Sequence, residues 1–281
     1  MKHNIDIYYN TDSLNIPNIH FHNDVEIIFI EEGSSIFLIE GKEILANRNS
    51  IVIISNLEKH SMHINTYPYN RYVVKIKDLQ EINMLPSKVY IKIFQNRPDN
   101  FPYVFKFNEN TSSQIRDIFD NLMNNYNESI FSKEYEKLLI NQLMILIFRS
   151  NDFFYNWENT DFEKTIFKIQ EYINKNYKDN INLKLIEELF FINRYEVSRH
   201  FKKITGYNFK TYLILVRISI AKDLLVNSNL SISEITNKIG YSSETLFIRM
   251  FKKYESITPT RYRSSYKSDW NNNLFYKFFH L

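Results

Sequence analysis

The 281-residue sequence contains no cysteine, and this absence removes several classes of function. Disulfide bonds, thiolate metal sites and enzymes with a thiol nucleophile are excluded, as is a DNA-repair methyltransferase that needs an acceptor thiol. No run of 18 or more apolar residues is present to span a bilayer, and polar residues occupy the amino-terminal stretch where a secretory signal has its apolar core. We therefore expect a soluble, cytoplasmic protein without a membrane partner.

The whole chain also lacks a large excess of positive or negative charge, with a formal net charge of +3. The positive and negative residues are nevertheless distributed unevenly between its two parts. Residues 162–281 carry 20 Lys and Arg against 11 Asp and Glu, which leaves 15 against 21 for residues 1–161. Clustered positive charge suits a polyanion such as nucleic acid, although a modest excess also serves simply to keep a surface solvated. The two parts of the chain are therefore expected to have different partners.

A short amphipathic helix is predicted from Asn193 to Lys203. Val197 and Phe201 recur with helical spacing and predict a buried stripe, while the opposite face is basic. Asn193 and Glu196 have the spacing of a capping box at the helix start. A second segment with helical apolar spacing precedes this helix, at Leu183, Ile186, Leu189 and Phe190. The two segments together predict a helix-turn-helix over residues 183–203.

The same pattern returns 50 residues later, where residues 232–254 predict a second helix-turn-helix. Gly240 marks the turn, and Phe247, Met250 and Phe251 form the inward stripe of its second helix. A Phe-Lys-Lys triplet ends both second helices, at residues 201–203 and 251–253. Between the two units, residues 209–226 read as one long helix. The chain therefore contains an imperfect internal duplication.

At these residues the sequence resembles the DNA-binding domain of the AraC/XylS family of bacterial transcription regulators. The shared residues hold in identity and spacing: Phe201-Lys202-Lys203, Thr205-Gly206, Tyr212, Arg217, Ala221-Lys222, Leu224-Leu225, Ile232-Ser233-Glu234-Ile235, Ile239-Gly240-Tyr241, Phe247, Phe251-Lys252-Lys253-Tyr254, Thr258-Pro259 and Tyr262-Arg263. The chain departs from the family at Glu187 and Thr236, where a small alanine is usual, and at Ser256, which replaces a common glycine. Glu187 must therefore tilt outward or find a partner.

The resemblance implies a role for each exposed side chain of the two recognition helices. Base-edge contacts are expected from Tyr195, Ser198 and Arg199 in the first helix and from Glu244, Thr245 and Arg249 in the second. Side-chain chemistry agrees, because Arg binds guanine in a bidentate manner and Glu accepts a hydrogen bond from cytosine. Phosphate contacts are expected from Arg194, Lys202, Lys203 and Lys252. The alternatives are a solvated helix face for the lysines and internal salt bridges for Arg199 and Arg249.

Short β-branched and aromatic segments between residues 20 and 77 predict a small antiparallel sandwich or barrel. The predicted strands are residues 25–30, 35–39, 50–54 and 71–76, separated by turns at 32–34, 40–42 and 47–49. Within them, His20, His22, Glu26 and Gly33 resemble the first motif of the cupin superfamily, which regulators of the AraC/XylS class commonly use as a sensor domain.

These residues and His60 leave three interpretations open. An unbroken strand would place His20, His22 and Glu26 on one face, where His60 could complete a metal-ligand set. Against a metal, the second cupin motif around His60 is incomplete, and Asn23-Asp24 can break the strand. The other interpretations are the lining of an effector pocket and a purely structural role. We assign the four residues to effector binding and predict no metal or cofactor.

Residues 109–149 change to helical periodicity. Thr111 or Ser112 is expected to cap a first helix with Ile115, Ile118, Phe119, Leu122, Met123 and Tyr126 on its apolar face, and Ser132 begins a second. The second helix is apolar over more than one face, at Leu138, Leu139, Leu143, Ile145, Leu146 and Phe148. It either packs only within its own domain or forms a homodimer surface, and the family resemblance favours the dimer.

The predicted fold class is α+β, with a cupin-like antiparallel barrel and helices preceding an all-α domain. The expected segments are a sensor barrel at 1–107, dimerisation helices at 108–150, a linker at 151–161, the DNA-binding domain at 162–267 and an aromatic tail at 268–281. The sequence thus predicts a non-enzymatic, sequence-specific regulator of promoter DNA. The resemblance implies activation through RNA polymerase and a small-molecule effector. The alternative is a metal-dependent cupin enzyme with an appended DNA-binding module.

Overall fold

The computed structural model describes residues 4–11, 16–82, 94, 101–125, 131–150 and 161–270. The chain divides into two compact units, Met1–Asn159 and Thr160–Leu281. The predicted linker, apart from Asp161, and residues 271–281 of the predicted tail lie outside the described residues. Residues 268–270 form the end of a helix.

The amino-terminal unit contains an antiparallel sheet built around two long strands. Its strands are β1 (Ile5–Asn10), β2 (Ile16–His20), β3 (Val25–Ile39), β4 (Lys42–Asn47), β5 (Ser50–Ile54), β6 (His60–Ile76) and β7 (Val104–Lys106). The main order is β1-β6-β3-β5-β7, and β2 and β4 pair with the other halves of β6 and β3. Because β3 and β6 run through both halves of the sheet, they connect its two sets of edge strands.

The turn predicted at residues 32–34 is wrong. The segment is an irregularity within β3, where the register against β6 shifts between Ile30 and Ser35. Gly33 has φ +76°, and a Cβ there would lie 2.2 Å from the carbonyl oxygen of Pro68. Positive φ at a glycine is common to turns and to β-bulges, so the residue alone does not distinguish them. The predicted strands 25–30 and 35–39 are therefore one bent strand.

The sheet folds on itself around one apolar core and packs helices against a second. Ile28, Ile30 and Val52 from one half share a core with Phe37 and Met62 from the other. The opposite face packs against helices α1 (Leu79–Ile82), α2 (Glu109–Asn124) and α3 (Ser132–Arg149). The α+β class predicted from the sequence is confirmed.

Helix α2 begins earlier than its predicted caps. Asn108 is the N-cap, and its side-chain oxygen accepts a hydrogen bond from the Thr111 backbone N–H at 2.9 Å. Ser112 is fully buried on the first turn, so neither predicted residue is the cap. Four predicted core residues are buried, Ile115, Ile118, Phe119 and Leu122, whereas Met123 is exposed and Tyr126 lies outside the described residues.

The carboxy-terminal unit is all helical in the part that the structure describes. Its helices are α4 (Asp161–Asn176), α5 (Leu183–Phe190), α6 (Arg194–Thr205), α7 (Phe209–Asn227), α8 (Ile232–Lys238), α9 (Glu244–Glu255) and α10 (Pro259–Trp270). The long helix α7 contacts α6, α8, α9 and α10, and is therefore buried on more than one face. Among the described helices of the chain, none has the length and apolar character to cross a membrane.

Candidate nucleic-acid interface

The first helix-turn-helix consists of α5 and α6 and is defined by two asparagine caps. The Asn182 side chain accepts hydrogen bonds from the N–H groups of Lys184 and Leu185, both at 3.0 Å. Asn193 accepts one from the Tyr195 N–H at 2.9 Å. These caps satisfy helix N–H groups that have no partner within the helix, and they fix where each helix begins.

The face that α6 presents to solvent carries the residues predicted to contact DNA. Val197 and Phe201 are completely buried, and each contributes about 1.5–3 kcal/mol, so the rotation of the helix is strongly fixed. The exposed residues are Arg194, Tyr195, Ser198, Arg199, Lys202 and Lys203. Among the residues that the structure describes, Arg199 forms no ion pair, and its Nη2 lies 3.4 Å from Nε2 of His200.

Glu187 finds its partner in Arg194. Its carboxylate accepts the Arg194 backbone N–H at 3.2 Å and lies 3.5 Å from Nε of the same residue. This contact joins the first helix of the unit to the start of the second and explains how a glutamate replaces a small residue there. Arg194 thus has an internal role in addition to the predicted phosphate contact, which stays a prediction.

The second helix-turn-helix consists of α8 and α9, and here a capping box does form. Ser231 accepts the Glu234 N–H at 3.1 Å, and the Glu234 carboxylate accepts the Ser231 N–H at 2.7 Å. Thr236 is buried, and its hydroxyl donates to the Ile232 carbonyl at 2.8 Å, which satisfies a polar group in place of the usual alanine. Ser243 caps α9 through the Leu246 N–H.

The exposed face of α9 resembles that of α6. Phe247 and Phe251 are fully buried, while Glu244, Thr245, Arg249 and Lys252 are exposed. Within the described part of the chain, Arg249 forms no ion pair. The alternative that Arg199 and Arg249 are held in salt bridges is therefore not what the structure shows. Contact with DNA bases stays a prediction for the six residues to which it was assigned: Tyr195, Ser198, Arg199, Glu244, Thr245 and Arg249.

The duplication extends to the packing behind the two recognition helices. Phe201 meets Tyr212 nearly edge-on with ring centroids 5.2 Å apart, and Phe251 meets Tyr262 in the same way at 5.4 Å. Each pair joins a recognition helix to the helix that follows it, at positions separated by 50 residues. Equivalent Phe–Tyr pairs therefore pack α6 and α9 against the helices that follow them.

Two arginines that the sequence did not single out for this role hold the loops before α5 and α8. Arg217 donates from Nε to the Tyr177 carbonyl at 2.8 Å and from Nη2 to the Asp179 carbonyl at 2.9 Å. Arg263 donates to the carbonyls of Leu225 and Leu230. Both residues belong to the family pattern, but the chain separation of 33–40 residues hides these contacts from local reading.

Gly206 and Ser256 are the C-cap residues of α6 and α9, and their backbone conformations can be compared directly. Both residues have a left-handed backbone, with φ +75° and +65°, and both donate their N–H to a lysine carbonyl four residues earlier. A serine is strained in this conformation, whereas glycine adopts it freely.

Ser256→Gly is therefore expected to stabilise the carboxy-terminal unit by about 0.5–1 kcal/mol, because the relief of strain exceeds the added backbone entropy of the unfolded chain. The midpoint of urea unfolding measures the change. Gly206→Ser is the matched reversal, and a fall in stability in both variants would contradict the explanation.

The amino-terminal unit brings its predicted effector residues together in one cluster. His20 lies opposite His60 in the β2–β6 pairing, and their ring centroids are 4.1 Å apart. The chain does leave strand geometry between His20 and Val25, as Asn23-Asp24 suggested, yet the ring of His22 lies 4.9 Å from that of His60. The break therefore does not separate the histidines.

Each of these imidazoles directs Nδ1 at a backbone carbonyl. The distances are 3.2 Å from His20 to Asn18, 2.9 Å from His22 to Asp24 and 2.9 Å from His60 to Glu58. Nε2 of His22 and of His60 lie 3.1 and 3.6 Å from the same oxygen, Oε2 of Glu26.

The protonation of this cluster follows from its burial. Burial lowers the pKa of His22 and so favours the neutral ring, despite the opposing effect of Glu26. Burial alone would raise the pKa of Glu26, but Lys75, His22 and His60 outweigh it and hold that pKa well below its ordinary value. The cluster therefore contains the Glu26 carboxylate beside the neutral ring of His22.

Comparison with known proteins places the chain among bacterial regulators. A helix-turn-helix domain family matches residues 188–265. The bifunctional transcriptional activator/DNA repair enzyme AdaA of Bacillus subtilis is 33% identical over 105 residues, which span 37% of this chain and 50% of that protein. The transcriptional activator RhaS of an Enterobacter species is 20% identical over 253 residues, 87% of this chain and 86% of RhaS.

Among solved structures, ToxT from Vibrio cholerae has the same fold, with a TM-score of 0.62 over 92% of this chain and 96% of ToxT at 16% identity. The helix-turn-helix domain match and the similarity to two named transcriptional activators identify the chain as a DNA-binding transcription regulator. Within that class, the matched domain and the named activators agree with the resemblance of the carboxy-terminal unit to the AraC/XylS family.

Proposed function

We propose that this protein activates transcription as a homodimer on a specific promoter sequence, in response to a ligand bound by its amino-terminal unit. The observation that carries the proposal is the pair of exposed arginines, Arg199 and Arg249, each on the solvent face of a recognition helix. AdaA and RhaS are named as activators, which favours activation and hence contact with RNA polymerase. No enzymatic activity is part of the proposal, and the absence of cysteine removes repair through an acceptor thiol.

In this proposal the two recognition helices read bases in the major groove. Arg199 and Arg249 bind guanine, Glu244 accepts from cytosine, and Tyr195, Ser198 and Thr245 contribute hydroxyl or apolar contacts. Lys202, Lys203 and Lys252 contact phosphates and position the helices without specifying sequence, and Arg194 adds a phosphate contact beside its ion pair with Glu187. Two such units on one side of B-DNA read successive major grooves about 34 Å apart.

The direct test is binding of the full-length chain to labelled DNA fragments from the region upstream of its own gene and from neighbouring promoters. We expect one fragment to bind at least about 1,000-fold more tightly than a shuffled fragment of the same composition, measured by fluorescence anisotropy at several salt concentrations. Equal affinity for all fragments would contradict sequence-specific regulation.

Helix α3 provides the surface for the proposed homodimer. Tyr135, Leu138, Gln142, Ile145 and Arg149 are exposed and follow alternating spacings of three and four residues. The exposed fraction is 53% for Leu138 and 42% for Ile145. A helix stripe with this spacing, apolar at Tyr135, Leu138 and Ile145 and polar at Gln142 and Arg149, is suited to pairing with a copy of itself. The buried face of α3 packs within its own unit, so this stripe is a second surface.

Replacing the stripe with charge is expected to separate the dimer. The double variant Leu138→Asp/Ile145→Asp should weaken dimerisation by at least about 2 kcal/mol, because two carboxylates from each protomer would have to be buried in the interface. Sedimentation velocity over a range of concentrations measures the change. Ser113→Asp, which adds a charge at an exposed position of α2, should leave the mass unchanged. A monomeric wild-type protein would contradict the proposal.

The fold likeness also supports control by a bound ligand. A structure of ToxT contains an unsaturated fatty acid, so a protein with this fold holds a small molecule. In the present chain His20, His22, Glu26 and His60 form the polar cluster of the amino-terminal unit and are the residues that we assign to ligand binding.

A further inference from the structure

The start of the first recognition helix, α6, lies against an acidic side chain from the helix before it. Glu187 accepts the Arg194 backbone N–H through Oε1 at 3.2 Å. Its other oxygen, Oε2, lies 3.5 Å from Nε of the Arg194 guanidinium. The guanidinium carbon also lies 5.6 Å from the ring centroid of Tyr195. In the free protein, Arg194 is therefore held between a carboxylate of its own chain and an aromatic ring.

The two donors that Glu187 occupies are of the kind that bind DNA phosphates. Backbone N–H groups at helix starts and arginine side chains both donate to phosphate oxygens in protein–DNA complexes. A carboxylate offers these donors the same kind of acceptor, a negatively charged oxygen. The positive end of the helix dipole favours an anion at this place, whether the protein or the DNA supplies it. Glu187 therefore occupies donors that a phosphate could otherwise bind.

The second helix-turn-helix is built differently at the corresponding positions. Thr236 takes the place of Glu187, is buried, and donates its hydroxyl to the Ile232 carbonyl. The first residue of α9 is Glu244, where α6 has Arg194. A helix-turn-helix of this chain can thus form without an acidic side chain at the position of Glu187. The contact is a property of the first unit.

We propose that Glu187 lowers the affinity of this protein for DNA by competing with phosphate for Arg194. A phosphate that displaces the carboxylate must break the contacts between Glu187 and Arg194. Because the guanidinium has five N–H donors, a phosphate can instead bind beside the carboxylate, but the two anions then repel each other. Both routes weaken the phosphate contact. Since such contacts carry no base information, the affinity is lowered to the same extent on every sequence.

This inference rests on the proposed function, because it takes Arg194 as a phosphate contact. Arg194→Gln tests that assumption alone and should weaken binding to all fragments. The effect of Glu187 is a separate result with the opposite sign, since removal of its charge should strengthen binding. Neither result requires a specific fragment, so both can be measured even if the protein binds all sequences alike.

The test compares full-length Glu187→Gln with the wild-type chain by fluorescence anisotropy on the specific and the shuffled DNA fragments. Glutamine keeps an oxygen that can accept the Arg194 N–H but removes the charge. We expect about fivefold tighter binding to both fragments at about 0.1 M salt, and a salt slope steeper by up to about 0.9, as for one additional phosphate contact. The ratio of the two affinities should stay the same. Glu187→Ala should show the same gain.

Glu188→Gln is the matched control. It removes the same charge from the next residue, whose exposed carboxylate lies 4.0 Å from Lys184 on the same helix. Its effect on affinity should be much smaller. In the double variant Glu187→Gln/Arg194→Gln the gain should disappear, because the competition requires Arg194. Thermal unfolding of each variant should show no rise in Tm, which separates a gain in DNA affinity from a general gain in stability.

Three results would overturn the proposal. Unchanged or weaker binding by both Glu187→Gln and Glu187→Ala would show that the carboxylate does not compete with DNA. An equal gain in Glu188→Gln would indicate a general effect of net charge. If Arg194→Gln binds all fragments as tightly as the wild type does, Arg194 is not a phosphate contact, and that part of the proposed function fails as well.

Discussion

Gly240→Ala is expected to destabilise the carboxy-terminal unit by at least about 3 kcal/mol, which is a large fraction of the stability of an ordinary domain. Gly240 lies in the turn of the second helix-turn-helix with φ +79°, a conformation that costs an alanine about 1 kcal/mol. The larger effect is steric. The added Cβ would lie 2.1 Å from the carbonyl oxygen of Lys178 and 2.8 Å from its Cα.

The obstructing atoms belong to the backbone and cannot move aside as a flexible side chain would. Arg217 binds the carbonyls on both sides of Lys178, those of Tyr177 and Asp179. The Asp179 N–H also donates to the Asn176 carbonyl at 2.9 Å. Any shift of this loop to accept a Cβ would therefore break hydrogen bonds that hold the loop before α5, and the two helix-turn-helix units would be disturbed together.

Thermal and urea unfolding of the full-length chain measure this effect, with Gly206→Ala as the matched control. Gly206 has φ +75° in the same unit, but a Cβ there meets no atom within 4 Å. Its alanine variant should lose only the conformational contribution of about 1 kcal/mol. Equal losses in the two variants would show that the contact with Lys178 is not what makes Gly240 necessary.

The features that the sequence predicted correctly are those that depend on neighbouring residues in the chain. The two helix-turn-helix units follow from apolar residues at helical spacing, and the long helix predicted over 209–226 is α7, Phe209–Asn227. Burial of Phe201 and Phe251 then fixes which side of each recognition helix faces solvent. Helical periodicity is strong evidence because one face of each helix must be buried to stabilise it.

Features that depend on distant residues were missed or misassigned. The bend at Gly33 was taken for a turn because its pairing with β6 is not visible locally, and β6 itself continues through Pro68 from His60 to Ile76. The capping box expected at Asn193 and Glu196 is replaced by an Asn193 cap alone and by the contact between Glu187 and Arg194. In each case a tertiary partner determined which of two locally acceptable structures forms.

The histidine cluster also depends on contacts between residues that are distant in the chain. Strand parity predicted that His20, His22 and Glu26 share a face only if the strand was unbroken, and the chain leaves strand geometry after His20. The residues nevertheless converge, because β2 pairs with the start of β6 and so brings His60 beside His20. Sequence spacing singled out residues that lie close together in the fold, whereas their convergence depends on strand pairing across 40 positions.

Arg199→Ala and Arg249→Ala are each expected to weaken binding to the specific DNA fragment by about 1–3 kcal/mol, which is about 5- to 150-fold in Kd, with little change on shuffled DNA. Since neither arginine forms an ion pair among the described residues, removing its side chain leaves no buried carboxylate uncompensated. The loss therefore reports the contact with DNA and not a loss of folding. Equilibrium anisotropy on both fragments at constant salt measures the difference.

Two controls separate base reading from general attraction to a polyanion. Lys202→Ala should weaken binding to all fragments alike and reduce the salt slope by about 0.9, as expected for one lost phosphate contact. Arg261→Ala removes an exposed arginine from α10, outside both recognition helices, and should have little effect. If Arg199→Ala and Arg249→Ala instead behave like Lys202→Ala, the two helices bind the DNA backbone without reading its sequence, and specificity must arise from the shape or deformability of the DNA.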